Sequence, residues 1–263
     1  MRNLTISYKR FGFSRNIVRQ VPSSYAELSQ KQFIAIGRLY HGNISEAEFY
    51  HIFFSLPKHI PVLDCLMIYK MSEMVDFISH DNIIIDHFII NELKGKLIAP
   101  GNRLKGMSFE QFMLADTYFS RFVQTEKEDM LNMFIAHLYL RNNEYFVLPA
   151  YLKNGLFSRK RKLDLNSRIK QIEKMDYNTK YAVFLNFVLI KRWLSKSFPF
   201  LFPESDEPTD KHKKVKVQTV KWLDIFDSFV GDDIPAMDKY QTMPVTTAFR
   251  LMNRRIKDAQ KRK

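Results

Sequence analysis

The residues best placed to do chemistry are Asp86 and the triplet Glu92-Leu93-Lys94. An aspartate and a Glu-x-Lys on adjacent strands can hold a divalent ion and activate a water. Here Asp86 and Glu92 are only six positions apart, too few for a strand, a turn and a second strand. The spacing therefore points to a polar loop. The seven histidines are His41, His51, His59, His80, His87, His137 and His212. None forms H-E-x-x-H, and His80 with His87 comes nearest to a pair. Cys65 is the single cysteine, so the chain builds neither a thiolate zinc site nor an internal disulfide. On an apolar helix face it reads as a small core residue. G-x-G-x-x-G, the phosphate-binding G-x-x-x-x-G-K-[ST] and G-x-S-x-G are absent from the sequence. These residues predict a non-enzymatic protein with no cofactor and no metal.

Charge is the stronger signal. The chain has 263 residues and a net charge of +13. Residues 151–200 hold 12 basic and 3 acidic side chains, whereas residues 1–150 are nearly neutral. The dense part is Arg159, Lys160, Arg161 and Lys162, followed by Arg168 and Lys170. A second cluster contains Arg254, Arg255 and Lys257. These nine are the candidate contacts to a polyanion or an acidic protein surface. A helix-turn-helix outline over Ser29–Leu56 is discounted, because Glu46 and Glu48 on its second helix would repel phosphate.

Helix-entry signals set the elements that carry these residues. Ser29-x-x-Gln32, Ser45-x-x-Glu48, Ser108-x-x-Gln111 and Thr125-x-x-Glu128 are capping-box patterns, each followed by apolar residues at helical spacing. Gly42 and Pro57 stop the first two helices. Val62–Ile78 suits one helix, or two with a break near Lys70. In Asn82–Gly106, Ile83-Ile84-Ile85 and Phe88-Ile89-Ile90 suit strands or helical spacing alike, and Leu97-Ile98 through Leu104 reads as a small hairpin or a structured loop. A helix follows Asp164. A core helix capped by Asn178 or Thr179 runs to Ser197, its apolar stretch Tyr181–Ile190 interrupted only by Asn186. Residues 217–230 predict a short amphipathic helix, Met237–Met243 a loop, and Pro244 onward a last helix. Phe249, Leu251, Met252 and Ile256 on that helix are the candidate partner-docking residues.

With 46% apolar residues, 23 Phe and only 8 Gly, the expected fold is mainly α. It is a multi-helix globular body with at most a small β-hairpin, plus a C-terminal helical appendage. The expected division is a body over residues 1–200, a linker over 201–216 and a helical segment with a basic tail over 217–263. No apolar run reaches the ~20 residues that span a bilayer, and residues 1–19 lack the apolar core of a secretory signal. A soluble protein with no membrane partner is expected.

Two phrases carry a resemblance. One is Pro22-x-x-Tyr25-Ala26-Glu27-Leu28-Ser29-x-x-Gln32-Phe33. The other is Met107-Ser108-Phe109-Glu110-Gln111-Phe112-x-x-Ala115-Asp116, followed by Leu131-x-x-Phe134-Ile135-Ala136-x-Leu138-Tyr139-x-Arg141. Over residues 20–200 the chain resembles proteins encoded in bacteriophage and prophage structural gene blocks, near tail and tape-measure genes. The resemblance implies a virion component or tail-assembly factor whose partners are other phage structural proteins or further copies of itself. It places the protein in the host cytoplasm during assembly, or in the virion, and brings no active site. The alternative is a nucleic-acid-binding accessory protein that uses residues 159–174 and the C-terminal tail.

Overall fold

Serines begin three of the helices, as their spacing predicts. Ser29 Oγ accepts from the Gln32 N–H at 3.3 Å while the Gln32 side chain accepts from the Ser29 N–H at 2.9 Å, a complete capping box. Ser45 and Ser108 accept from the backbone of Glu48 and Gln111 in the same way. The computed structural model describes residues 1–11, 13–57, 60, 65–79, 83–141, 155–203, 222–231 and 237–261.

The described residues are mainly α. They form β1 (Arg2–Arg10), β2 (Phe13–Val21), α1 (Gln30–Tyr40), α2 (Glu46–Phe53), α3 (Cys65–Val75), β3 (Glu92–Leu93) and β4 (Leu97–Ile98). After these come α4 (Phe109–Thr125), α5 (Glu128–Leu138), β5 (Leu140–Arg141), α6 (Gly155–Glu173) and α7 (Tyr177–Ser197). The chain closes with α8 (Trp222–Val230), α9 (Met237–Thr242) and α10 (Val245–Gln260). The antiparallel pair β1–β2 is one sheet, and β3–β4–β5 is a small antiparallel second one.

The amides of the two resembling phrases do a second job. Gln32, at the start of α1, donates from Nε2 to the Phe53 carbonyl at the end of α2, at 3.1 Å. Gln111, at the start of α4, donates to the His137 carbonyl in the last turn of α5, at 2.9 Å. Each satisfies a terminal carbonyl that the helix itself leaves unpaired. Each also joins two helices that follow one another in the chain. Thr125 does not open α5. It is the last residue of α4, Glu126 takes a left-handed conformation (φ 54°), and Lys127 is the N-cap.

α7 is the central helix. Gly37 of α1 lies so close to it that an added Cβ would sit 3.1 Å from the Ala182 Cβ. Asp176, rather than Asn178 or Thr179, caps α7, accepting from both of their N–H groups. Asn186, the one interruption of its apolar run, is fully buried and binds the irregular chain beside it. Its Oδ1 accepts from the N–H of Ile89 at 2.8 Å and Ile90 at 3.2 Å. The Tyr139 hydroxyl donates to the Ile90 carbonyl. At Ile89 and Ile90 the backbone polarity is thus met by side chains, whereas the Asp86 and Asn91 carbonyls accept from the backbone N–H groups of Arg103 and Ala99.

Asp116 of α4, 1% exposed, receives the Lys191 Nζ of α7 and the Trp222 Nε1 of α8, each at 2.7 Å. Around it Phe109, Phe112, Phe202, Trp222 and Phe249 form one aromatic cluster, with Phe112 and Phe249 centroids 4.8 Å apart. Edge-to-face pairs of this kind contribute about 0.5–1.5 kcal/mol each beyond the area they bury. The chain leading into α10 also joins α4: Val245 N–H donates to the Met107 carbonyl at 3.0 Å and Phe109 N–H to the Met243 carbonyl at 2.9 Å.

Several details differ from the sequence reading. α3 runs through Lys70 without a break and ends in a 3-10 turn over Asp76–Ser79. Residues 237–242 are helical. Leu201 and Phe202, assigned to the linker, are buried in the body, and the linker from 204 onward lies outside the described residues, as does the side chain of Cys65. The largest difference is the β1–β2 hairpin, built of two nine-residue strands, which the sequence reading did not identify. Asn186→Ala leaves two backbone N–H groups without acceptors. We expect a loss of about 2–6 kcal/mol in urea unfolding, from the ~1–3 kcal/mol cost of each of the two unsatisfied groups.

Candidate interaction site

The β1–β2 hairpin is anchored along one face, with Tyr8 and Ile17 packed partly buried against the core beyond its buried base. Leu4, Ile6 and Val21 are buried, while Thr5, Ser7, Ser14, Arg15 and Asn16 are exposed. That is the alternation of a ribbon with one covered face. Toward the turn the cover runs out: Phe11 is 86% exposed and Phe13 72%. Phe11 also has positive φ (53°), as a two-residue hairpin turn requires. The base is fastened at Glu27, whose carboxylate accepts from the Met1 amine at 2.8 Å and the Ser23 N–H at 2.7 Å. These partners, the amine first, hold its pKa down to about 2.

A groove of about 760 Å³ lies beside this base. Its walls include Arg2 of β1, Leu39 of α1, Glu46 and Phe49 of α2, and Glu73 and Val75 of α3. The Tyr50 hydroxyl donates to the Glu46 carboxylate at 2.5 Å, and Tyr69 hydrogen-bonds to Glu73. Two of the carboxylates of this groove are therefore held by phenols.

The sequence-predicted residues are distributed differently. The side chains of Arg159, Lys160, Arg161 and Lys162 lie outside the described residues, although the backbone of α6 runs through them. Lys170 is exposed. Arg168 is not a surface contact. It is 8% exposed and its Nε donates to the Ala136 carbonyl at 3.1 Å, which places its cation inside the body. Arg254, Arg255 and Lys257 are exposed on α10, with Arg254 3.8 Å from Asp258 and Lys257 over the Phe200 ring at 5.7 Å.

The docking set on α10 is corrected. Phe249 is fully buried and Met252 is 2% exposed, because both pack into the chain's own core. Ile256 is half-buried against that core, and only Leu251, at 40%, is exposed. Asp86 is engaged by Arg103 Nε at 3.0 Å and by His87, which lowers its carboxyl pKa, with Arg103 the larger cause. Glu92 is exposed on β3 and Lys94 lies in the turn that follows. Among the described residues no three His, Cys, Asp or Glu side chains group at metal-binding range, and no helix is long and apolar enough to cross a membrane.

The feature that sequence reasoning missed, the exposed pair Phe11 and Phe13, did leave a signal. Leu4, Ile6 and Tyr8 alternate, then Phe11-Gly12 follows, then Ile17, Arg19 and Val21 alternate again. The chain matches no family model, no curated protein and no solved structure.

His137 stacks on Tyr118 with centroids 5.3 Å apart, and burial together with the Arg168 cation lowers its pKa from 6.5 to about 4. Between those values the unfolded chain binds the extra proton. The stabilisation is therefore present above pH 6.5 and is lost as pH falls toward 4. Urea midpoints should fall from pH 7 to pH 5, and His137→Phe should flatten that slope.

Proposed function

We propose that the chain is a phage-type structural or tail-assembly protein that works through protein–protein contacts, without a catalytic step. The observation that carries this reading is the hairpin arm with Phe11 and Phe13 exposed at its end. A two-stranded ribbon alone is marginal in water, and two exposed phenylalanines at its end offer apolar surface for a contact. The two resembling phrases agree with an assembly role. Their residues are spent on helix entry and on joining helices, as a scaffold needs. The partners are other phage structural proteins or further copies of the chain, met in the host cytoplasm during assembly or in the virion. Particles purified from a host carrying the gene should contain the protein, or assembly intermediates should contain it, by mass spectrometry. Its absence from both would end the reading.

A second reading rests on α10. Arg250, Arg254, Arg255 and Lys257 are exposed there and Lys261 at its C-cap, opposed on that helix only by Asp258. Such a face suits a phosphate backbone. If it binds nucleic acid, gel-shift affinity should fall steeply with salt, and Arg254→Glu with Lys257→Glu should weaken it for every sequence tried. No shift at low salt removes this reading.

A further inference from the structure

The arm and the groove beside its base are opposite in chemistry. The segment Lys9–Arg15 carries Lys9, Arg10 and Arg15, two phenylalanines and no carboxylate. The groove carries Glu46, Glu73 and Asp76 around Leu39, Phe49 and Val75, with Arg2 as the one cation among its described lining residues. Its volume, about 760 Å³, is in the range that encloses a group of several side chains. Glu46 and Glu73 are exposed and fixed by Tyr50 and Tyr69, so they present charge to an incoming cation without first having to be ordered.

The arm cannot fill its own groove. Arg2 lines the groove and also begins β1, whose far end is eight residues on. At roughly 3.4 Å per residue the tip stands about 27 Å from that wall. The ladder from Arg2↔Val21 to Arg10↔Phe13 is unbroken, so the arm does not fold back on itself.

We propose that the tip of the arm docks in the α2–α3 groove of a second copy of this chain. This rests on the assembly reading above and deepens it by naming the partner and both surfaces. Arm and groove are different patches of one molecule, so each contact runs from arm to groove. The assembly therefore closes as a reciprocal two-fold dimer in which each arm enters the other copy's groove, or continues into a ring or filament. The aromatic pair supplies apolar burial, and the flanking cations meet the carboxylates at the rim, so association weakens as salt rises.

The full chain, in sedimentation equilibrium at low salt, should form concentration-dependent species larger than the monomer. Phe13→Asp with Arg15→Glu should be monomeric, and so should Glu46→Lys with Glu73→Lys. These four residues lie outside the core except for the hydroxyl contacts named above. Unchanged thermal melts then separate a lost contact from a lost fold. The arm variant retains a groove and the groove variant retains an arm, so mixing the two should give a one-to-one dimer and nothing larger. Photo-crosslinking from Phe13→p-benzoylphenylalanine should join the arm to α2 or α3 of another copy. A wild-type chain that stays monomeric, a mixture that does not pair, or a crosslink to a different protein or to nucleic acid would overturn the proposal. A monomeric wild type that is nevertheless found in particles defeats only this inference. A self-associating chain absent from particles and intermediates defeats only the assembly reading.

Discussion

A carboxylate at 1% exposure sits at the join of three helices. Asp116 has little water to solvate it, and its two oxygens are taken by a lysine from α7 and an indole from α8. An isolated buried charge costs several kcal/mol, and geometry this tight is what offsets it. The partners are 75 and 106 residues away in sequence, so the interaction fixes tertiary arrangement and not local structure. Lys191 also lies 5.8 Å from the Phe119 ring centroid and 5.5 Å from that of Phe202, which places its charge against aromatic faces on both sides. The aromatic cluster of Phe109, Phe112, Trp222 and Phe249 assembles around this point. It is why the C-terminal helices close over α4, and why Phe249 and Met252 are spent on the core.

Much of the helical body was legible in the residues. Serine at the N-cap is a local device, and its energy is decided within four positions. Hence Ser29, Ser45 and Ser108 mark their helices correctly. Thr125 failed because its neighbour Glu126 adopts a left-handed conformation that a spacing rule cannot register. Asn186 looked like a flaw in an apolar run. Its purpose is set by Ile89 and Ile90, nearly a hundred residues earlier, and is invisible to any local window. Arg168 shows the same limit from the other side. It lies in a basic stretch, yet the end of α5 draws it inward.

The hairpin was missed for a physical reason too. Its alternation is clear only in the half that touches the body, because the outer half has no buried face to encode. A strand that ends in solvent carries polar and apolar residues on both sides, and periodicity fades there. The same absence of a covered face makes Phe11 and Phe13 informative once the structure is known.

The two glutamine links bear on the order in which the fold is built. Gln32 reaches across 21 residues and Gln111 across 26, whereas the Trp222–Asp116 bond closes a loop of 106. Loop-closure entropy grows with the length closed, so α1–α2 and α4–α5 are the pairs that can form early as self-contained units. The C-terminal helices then have a preformed surface on α4 to settle on. In native-state hydrogen exchange this hierarchy should show as cooperative sub-units, with the two helix pairs staying protected after the α8–α10 cover opens.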